Sequence, residues 1–222
     1  QTSRVTTEII EQSKQLLDAL GIPYIQAPSE GEAQASYMVQ KGDAFAVGSQ
    51  DFDCLLFGAH LLVRNLTSSE RRKLPKKQAY TMVHPEKIRL EPGLQKLGIS
   101  REQLVDIAIL VGTDFNDGVK GFGPKKSLKL LIEKGSLDHA LDSLAEGNVH
   151  ISPEELSVVR HIFLEPTITK DYSLQWRTPD SPEVIRLLCD EHQFSKDRIE
   201  PVLEQFSSVH QPTKQKNLFD FS

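Results

Sequence analysis

Five carboxylates in this sequence have the types and spacing to hold hard metal ions: Glu30 and Glu32, Asp51 and Asp53, and Asp114. Oxygen-only ligands, without His or thiolate among them, favour Mg²⁺ or Mn²⁺ over zinc. Clustered anions repel strongly, so such a group needs metal, protons or partner bases to persist. Asp51-Phe52-Asp53 has the period-two spacing that points both acids the same way in extended chain. Each pair also has a plainer reading. Ser29-x-x-Glu32 is a capping box, Glu30 would favour a helix dipole, and Asp51 and Asp53 suit a turn after Gly48-Ser49. The joint occurrence of four favours metal. Asp114 follows an otherwise apolar helix (Val105, Ile107, Ala108, Ile109, Leu110), whose C-terminus already carries negative partial charge that a cation would relieve. Spacing alone does not bring Asp114 to the other four.

A second constellation is Gly118-Val119-Lys120-Gly121-Phe122-Gly123-Pro124-Lys125-Lys126. Pro124 suits a first helical position, and Gly121 and Gly123 allow close backbone approach. The helix N-terminus offers unpaired N–H groups, and Lys120, Lys125 and Lys126 add charge. Such a turn grips phosphate without reading sequence, so it points to nucleic acid. A tight helix–helix turn with no ligand is the alternative.

The elements that must position these residues follow from periodicity. A helix is expected over 5–20, stopped by Gly21, then a buried strand over 22–25. A helix from Ser29 to about Lys41, ended by Gly42, and a strand over 44–47 complete a βαβ unit. Parallel strands joined by a crossover helix end at one edge of a sheet, so Glu30, Glu32, Asp51 and Asp53 should meet there. Further strands are expected over 61–66 and 80–83, separated by a basic loop that includes Arg71-Arg72-Lys73. After Pro85 only helices are expected, over 85–97, 101–111, 124–133, 137–144, 153–163, 182–191 and 196–206. The fold class is therefore α/β, a partial parallel-type sheet with crossover helices followed by an all-helical region. Residues 1–84 form the α/β part, 85–209 the helical part, and 210–222 a polar tail.

The chain has 222 residues, 38% hydrophobic and 26% charged, which suits a globular protein. No apolar run approaches the ~20 residues that span a bilayer. Two cysteines build neither a disulfide framework nor a zinc site, so a reducing intracellular compartment is expected. The net charge of −5 argues against nucleic acid at first sight, yet without the five candidate ligands the 31 acidic residues would match the 26 Lys and Arg. Gln1-Thr2-Ser3-Arg4 resembles neither a signal peptide nor a start, so a piece of something longer is expected.

Ala27-Pro28-Ser29-Glu30-Gly31-Glu32-Ala33-Gln34-Ala35, Ser49-Gln50-Asp51-Phe52-Asp53-Cys54-Leu55-Leu56-Phe57-Gly58 and Leu110-Val111-Gly112-Thr113-Asp114-Phe115 closely resemble segments of flap endonucleases, most of all the archaeal ones. Gly121-Phe122-Gly123-Pro124-Lys125-Lys126 is similar to that family's helix–two-turn–helix element. The resemblance implies a PIN-like 5′-nuclease core and two-metal hydrolysis of branched DNA bearing a 5′ flap. One Mg²⁺ or Mn²⁺ would lie on Asp51, Asp53 and Asp114, the other on Glu30 and Glu32. The resemblance also implies duplex grip and a K⁺ at the helix–two-turn–helix, and a place for Arg64 near the active site. In the tail, Gln215, Leu218 and Phe221 resemble a sliding-clamp-binding peptide, with Ser222 where a second aromatic is usual. The family's amino-terminal segment, with further aspartates and a helical arch, is not in this chain, so a missing half from the same or a separate chain is expected. Competing readings are a non-catalytic, clamp-tethered DNA-binding scaffold and an unrelated Mg²⁺-dependent phosphohydrolase.

Overall fold

The structure, a computed structural model, describes residues 5–66, 71–73, 80–144 and 152–209. It divides into two compact units, Ala27–Thr169 and the pair Gln1–Gln26 with Lys170–Ser222.

The first unit contains the sheet. Helix α2 (Gly31–Lys41) ends at Gly42 and leads into β1 (Val47–Gly48). A four-residue helix α3 (Asp53–Leu56) connects β1 to β2 (Leu61–Arg64). β1 and β2 are parallel, and β2 pairs antiparallel with β5 (Glu86–Arg89), so the three-stranded sheet is mixed. Its helices and sheet fit the expected α/β class. Four expectations are corrected. Residues 22–25 form no strand: Pro23 has no N–H to donate, and Gly21 turns the chain at φ +69° so closely against the Arg177 carbonyl that a Cβ would clash. Arg71–Lys73 is not loop but strand β3, paired with β4 (Tyr80–Met82). The first half of the helix expected over 85–97 is β5, recruited by the open edge of β2, and only Leu90–Leu97 is helical (α4). The helix expected over 182–191 is α9 (Ser181–Ile185) followed by a π-helical turn (Arg186–Glu191).

Helix α5 (Arg101–Val111) starts at a reciprocal capping box: Gln103 N–H donates to Ser100 Oγ, and Ser100 N–H donates to Gln103 Oε1. It buries Val105, Ile107, Ile109 and Leu110 against α6 (Pro124–Lys134), α7 (Leu137–Asp142) and α8 (Pro153–Leu164). Phe163 of α8 is fully buried in that core. A smaller core of Val39, Val47, Cys54, Ala59 and Leu62 lies between α2, α3 and the sheet. In the second unit, α1 (Thr7–Ala19) and α10 (Lys196–Val209) close with α9 over Ala19, Val184, Leu187 and Leu203. No helix among the described residues is long and apolar enough to cross a membrane.

Candidate active site

The strand pair at the site is β1 and β2. Their parallel alignment, with α3 in the crossover, sets both C-terminal ends at one edge. Asp51 and Asp53 follow β1, and Arg64 ends β2. The edge expected to gather all four acids is corrected: with no strand over 22–25, the β1–β2 edge carries Asp51 and Asp53 alone, and Glu30 and Glu32 come from the start of α2.

Asp51 and Asp53 do not lie in extended chain. Phe52 between them is in the right-handed helical region, at φ −83° and ψ −12°. Asp53 N–H donates to Asp51 Oδ1 at 3.0 Å, and Asp51 N–H donates to Ser49 Oγ at 3.0 Å. The pair is thus set by an Asx turn that also starts α3. α3 is braced by side chains that no motif marks. Ser36 Oγ and Gln40 Nε2 of α2 donate to the carbonyls of Cys54 and Phe57, and Arg101 Nη1 of α5 donates to Leu56. Unpaired carbonyls at a helix end need such partners.

The capping box at Ser29 does not form. The N-cap of α2 is Glu30, without a side-chain cap bond, and Glu32 instead accepts a 3.4 Å bond from Ser49 Oγ. Both glutamates are therefore left for other work.

Asp114 sits on a tight turn after α5. Thr113 N–H donates to the Asn116 carbonyl, Phe115 N–H donates to Thr113 Oγ1, and Asn116 Nδ2 donates to the Ile109 carbonyl at 2.8 Å. Asn116 so ties the turn to the helix it leaves. Phe115 packs edge-on against Phe163, ring centroids 5.6 Å apart, and the Phe57 ring lies 5.0 Å from that of Phe163.

One pocket is lined by Glu30, Glu32, Asp51, Asp53, Asp114, Phe57 and Phe115. Asp53 is strongly perturbed. Burial first, then the charges of Asp51, Asp114, Glu32 and Glu30, push its carboxyl up to about 6. Burial, helped by Glu32, likewise pushes the Cys54 thiol up to about 11, which makes it an inert core group. Among the described residues, no three acid, imidazole or thiol groups close into a single ligand set as placed. Arg64 does not line the pocket; its guanidinium lies 4.1 Å from the centroid of the Phe52 ring and 3.7 Å from Glu86.

The glycine turn joins α5 to α6 as expected, with Pro124 opening α6. Lys120, Gly121, Gly123, Lys125 and Lys126 are exposed, and nothing lies within 4 Å of a Cβ built on either glycine. Lys126 Nζ rests over the Phe122 ring at 3.9 Å. Gln215, Leu218 and Phe221 lie outside the described residues.

Residues 21–114 match the family model of the XPG I-region. Flap endonuclease 1 of Methanothermobacter thermautotrophicus is 51% identical over 220 residues, 99% of this chain. The chain is a flap endonuclease homologue. Flap endonuclease 1 of Aeropyrum pernix is 48% identical over 94% of this chain. The chain spans 62% and 59% of the lengths of these two curated relatives. The solved flap endonuclease-1 from Methanococcus jannaschii aligns with a TM-score of 0.77 at 42% identity, over 92% of this chain and 59% of that one. The catalytic core of Rad2 in complex with DNA substrate aligns at 0.74 over 91% of this chain and 69% of that one; at 24% identity this is a likeness of fold.

Proposed function

We propose that this chain is part of a structure-specific 5′-flap endonuclease, a divalent-metal phosphodiesterase for branched DNA in replication and repair, and that it contributes most of the metal site. The observation that carries the reading is the convergence of Glu30, Glu32, Asp51, Asp53 and Asp114 on one pocket, where burial and the charges of the other four push the Asp53 carboxyl up to about 6. The donor set fits Mg²⁺ or Mn²⁺, being all carboxylate oxygen, and its mutual repulsion is what divalent charge would offset. Asp51, Asp53 and Asp114 would hold one ion, Glu30 and Glu32 the other. Such ions supply Lewis acidity and a water acidic enough to attack at neutral pH. The chain's own residues do the orienting. The Asx turn spreads Asp51 and Asp53, Asn116 fixes Asp114, and Phe57 and Phe115 wall the pocket.

In the same reading, Lys120, Gly121, Gly123, Lys125 and Lys126 grip the phosphates of the duplex, and K⁺ can settle at that turn. Arg64 serves DNA near the pocket. Gln215, Leu218 and Phe221 engage a sliding clamp, and an amino-terminal nuclease segment, on this or a separate chain, completes the metal site. The protein would act inside the cell, on DNA.

The test is Mg²⁺-dependent cleavage of a labelled 5′-flap DNA by this chain, alone and with the amino-terminal residues of an archaeal relative added. Cleavage that Asp53→Asn abolishes supports the reading. The exposed glycine–lysine turn also suits a second one, a DNA-binding scaffold without catalysis. Flap binding that depends on Lys125 and Lys126, with no cleavage under either condition, would establish the scaffold instead.

A further inference from the structure

Phe52 stands between Asp51 and Asp53 and leaves its side chain 48% exposed, an unusual place for a large apolar ring beside a carboxylate pocket. Its ring is covered by Arg64, whose guanidinium carbon lies 4.1 Å from the centroid. Arg64 is the last residue of β2, directly opposite Glu86 in the antiparallel register with β5, and the two side chains approach to 3.7 Å. A line of contact therefore runs from the sheet, through Glu86 and Arg64, to the ring at the tip of the Asp51–Asp53 turn. The bonds from Asp51 N–H to Ser49 and from Asp53 N–H to Asp51 shape this turn locally. The stack ties its tip to the sheet. A planar guanidinium over an aromatic face is a directional contact, attracted by the ring quadrupole, that an aliphatic side chain cannot make.

We propose that Phe52 is a positioning residue for the carboxylate pair: clamped beneath Arg64, it fixes how Asp51 and Asp53 are presented to a divalent ion. The inference rests on the metal-site reading above. Groups that orient metal ligands without touching the ion typically change affinity by about 10–100-fold when lost. The ring carries no charge, so its effect is one of geometry.

The experiment is calorimetric titration of Mn²⁺ into this chain without DNA, with the melting temperature of each variant as a check on folding. Phe52→Leu is expected to raise the Mn²⁺ Kd about tenfold, with the melting temperature held because the ring is half in solvent. Phe52→Tyr, which keeps the aromatic face, should stay within about twofold of the wild type. Arg64→Gln should couple to Phe52→Leu, the double variant costing less than the product of the two single fold-changes. An Arg64 that acts only as a nearby positive charge gives the opposite sign, since its removal would tighten Mn²⁺ binding; that result would overturn the inference. So would an unchanged Kd in Phe52→Leu, or the same loss in Phe52→Tyr as in Phe52→Leu. A wild-type chain that takes up no Mn²⁺ at all would instead overturn the metal-site reading, and this inference with it.

Discussion

Asp53 carries two opposed demands. Its carboxyl is drawn up to about 6 by burial and by four neighbouring acids, which destabilises the charged form in the absence of a cation. In the proposed role of metal ligand it would have to be charged. Asp53→Asn removes the repulsion and the ligand together. We expect it to raise the melting temperature of the metal-free chain while lowering metal-dependent cleavage by about two orders of magnitude or more. Thermal melts with chelator, beside cleavage assays, check both directions.

Asp106 of α5 shows the same physics away from the pocket. Its carboxylate is almost fully buried, with Arg160 Nε 2.9 Å from Oδ1 and Arg160 Nη2 donating to Oδ2 at 3.4 Å. Burial outweighs that partner, and Asp138 and Glu102 add to it, so the carboxyl is pushed up to about 6. A raised carboxyl favours the protonated fold: its contribution is full below about pH 4 and fades as pH rises through 6. Asp106→Asn should therefore gain stability relative to wild type between pH 4.5 and 7.5 in denaturant titrations. Arg160→Leu, which leaves the buried charge alone, should cost on the order of 3 kcal/mol at pH 7.5 and clearly less at pH 5.

At the scale of elements, the site depends on turns that allow one backbone path. Gly118 lies at φ +73°, and a Cβ there would stand 2.5–2.6 Å from the backbone of Val111 and Gly112. That contact holds the chain leaving the Asp114 turn against the end of α5. Gly118→Ala should destabilise by more than about 2 kcal/mol, because neither the conformation nor the space suits a methyl. Amide exchange should show faster opening over 112–118 than in the rest of the unit. The short helix α3 is a second such element. Four residues are too few to be stable alone, and the side chains of Ser36, Gln40 and Arg101 supply what its length does not.

For the whole molecule, the exposed lysines of the α5–α6 turn set the expectation for DNA. Each phosphate contact contributes about 0.9 to the slope of log affinity against log salt. Lys125→Gln with Lys126→Gln should make that slope shallower by about 2, measured by flap-DNA binding in Ca²⁺ from low to moderate salt.

The residue types on which the proposed chemistry rests stand in the sequence itself: five carboxylates, a Gly-Lys turn, and motifs resembling those of flap endonucleases. Most helices were legible for a similar reason, since caps and apolar periodicity are local; Ser100 with Gln103 and Pro124 mark their starts in the sequence itself. Strands were less so. Pairing is a non-local contact, and nothing near Glu86–Arg89 announces that β2 has an open edge for it to fill. Beyond the grouping of Asp114, 61 residues from Asp53, that the resemblance implied, the tertiary structure alone decided that Glu32 turns away from Ser29 and that Arg64 closes over Phe52. These are distances between segments remote in the chain. They are fixed by how α5 and the sheet pack on shared cores, and no spacing along the sequence encodes them.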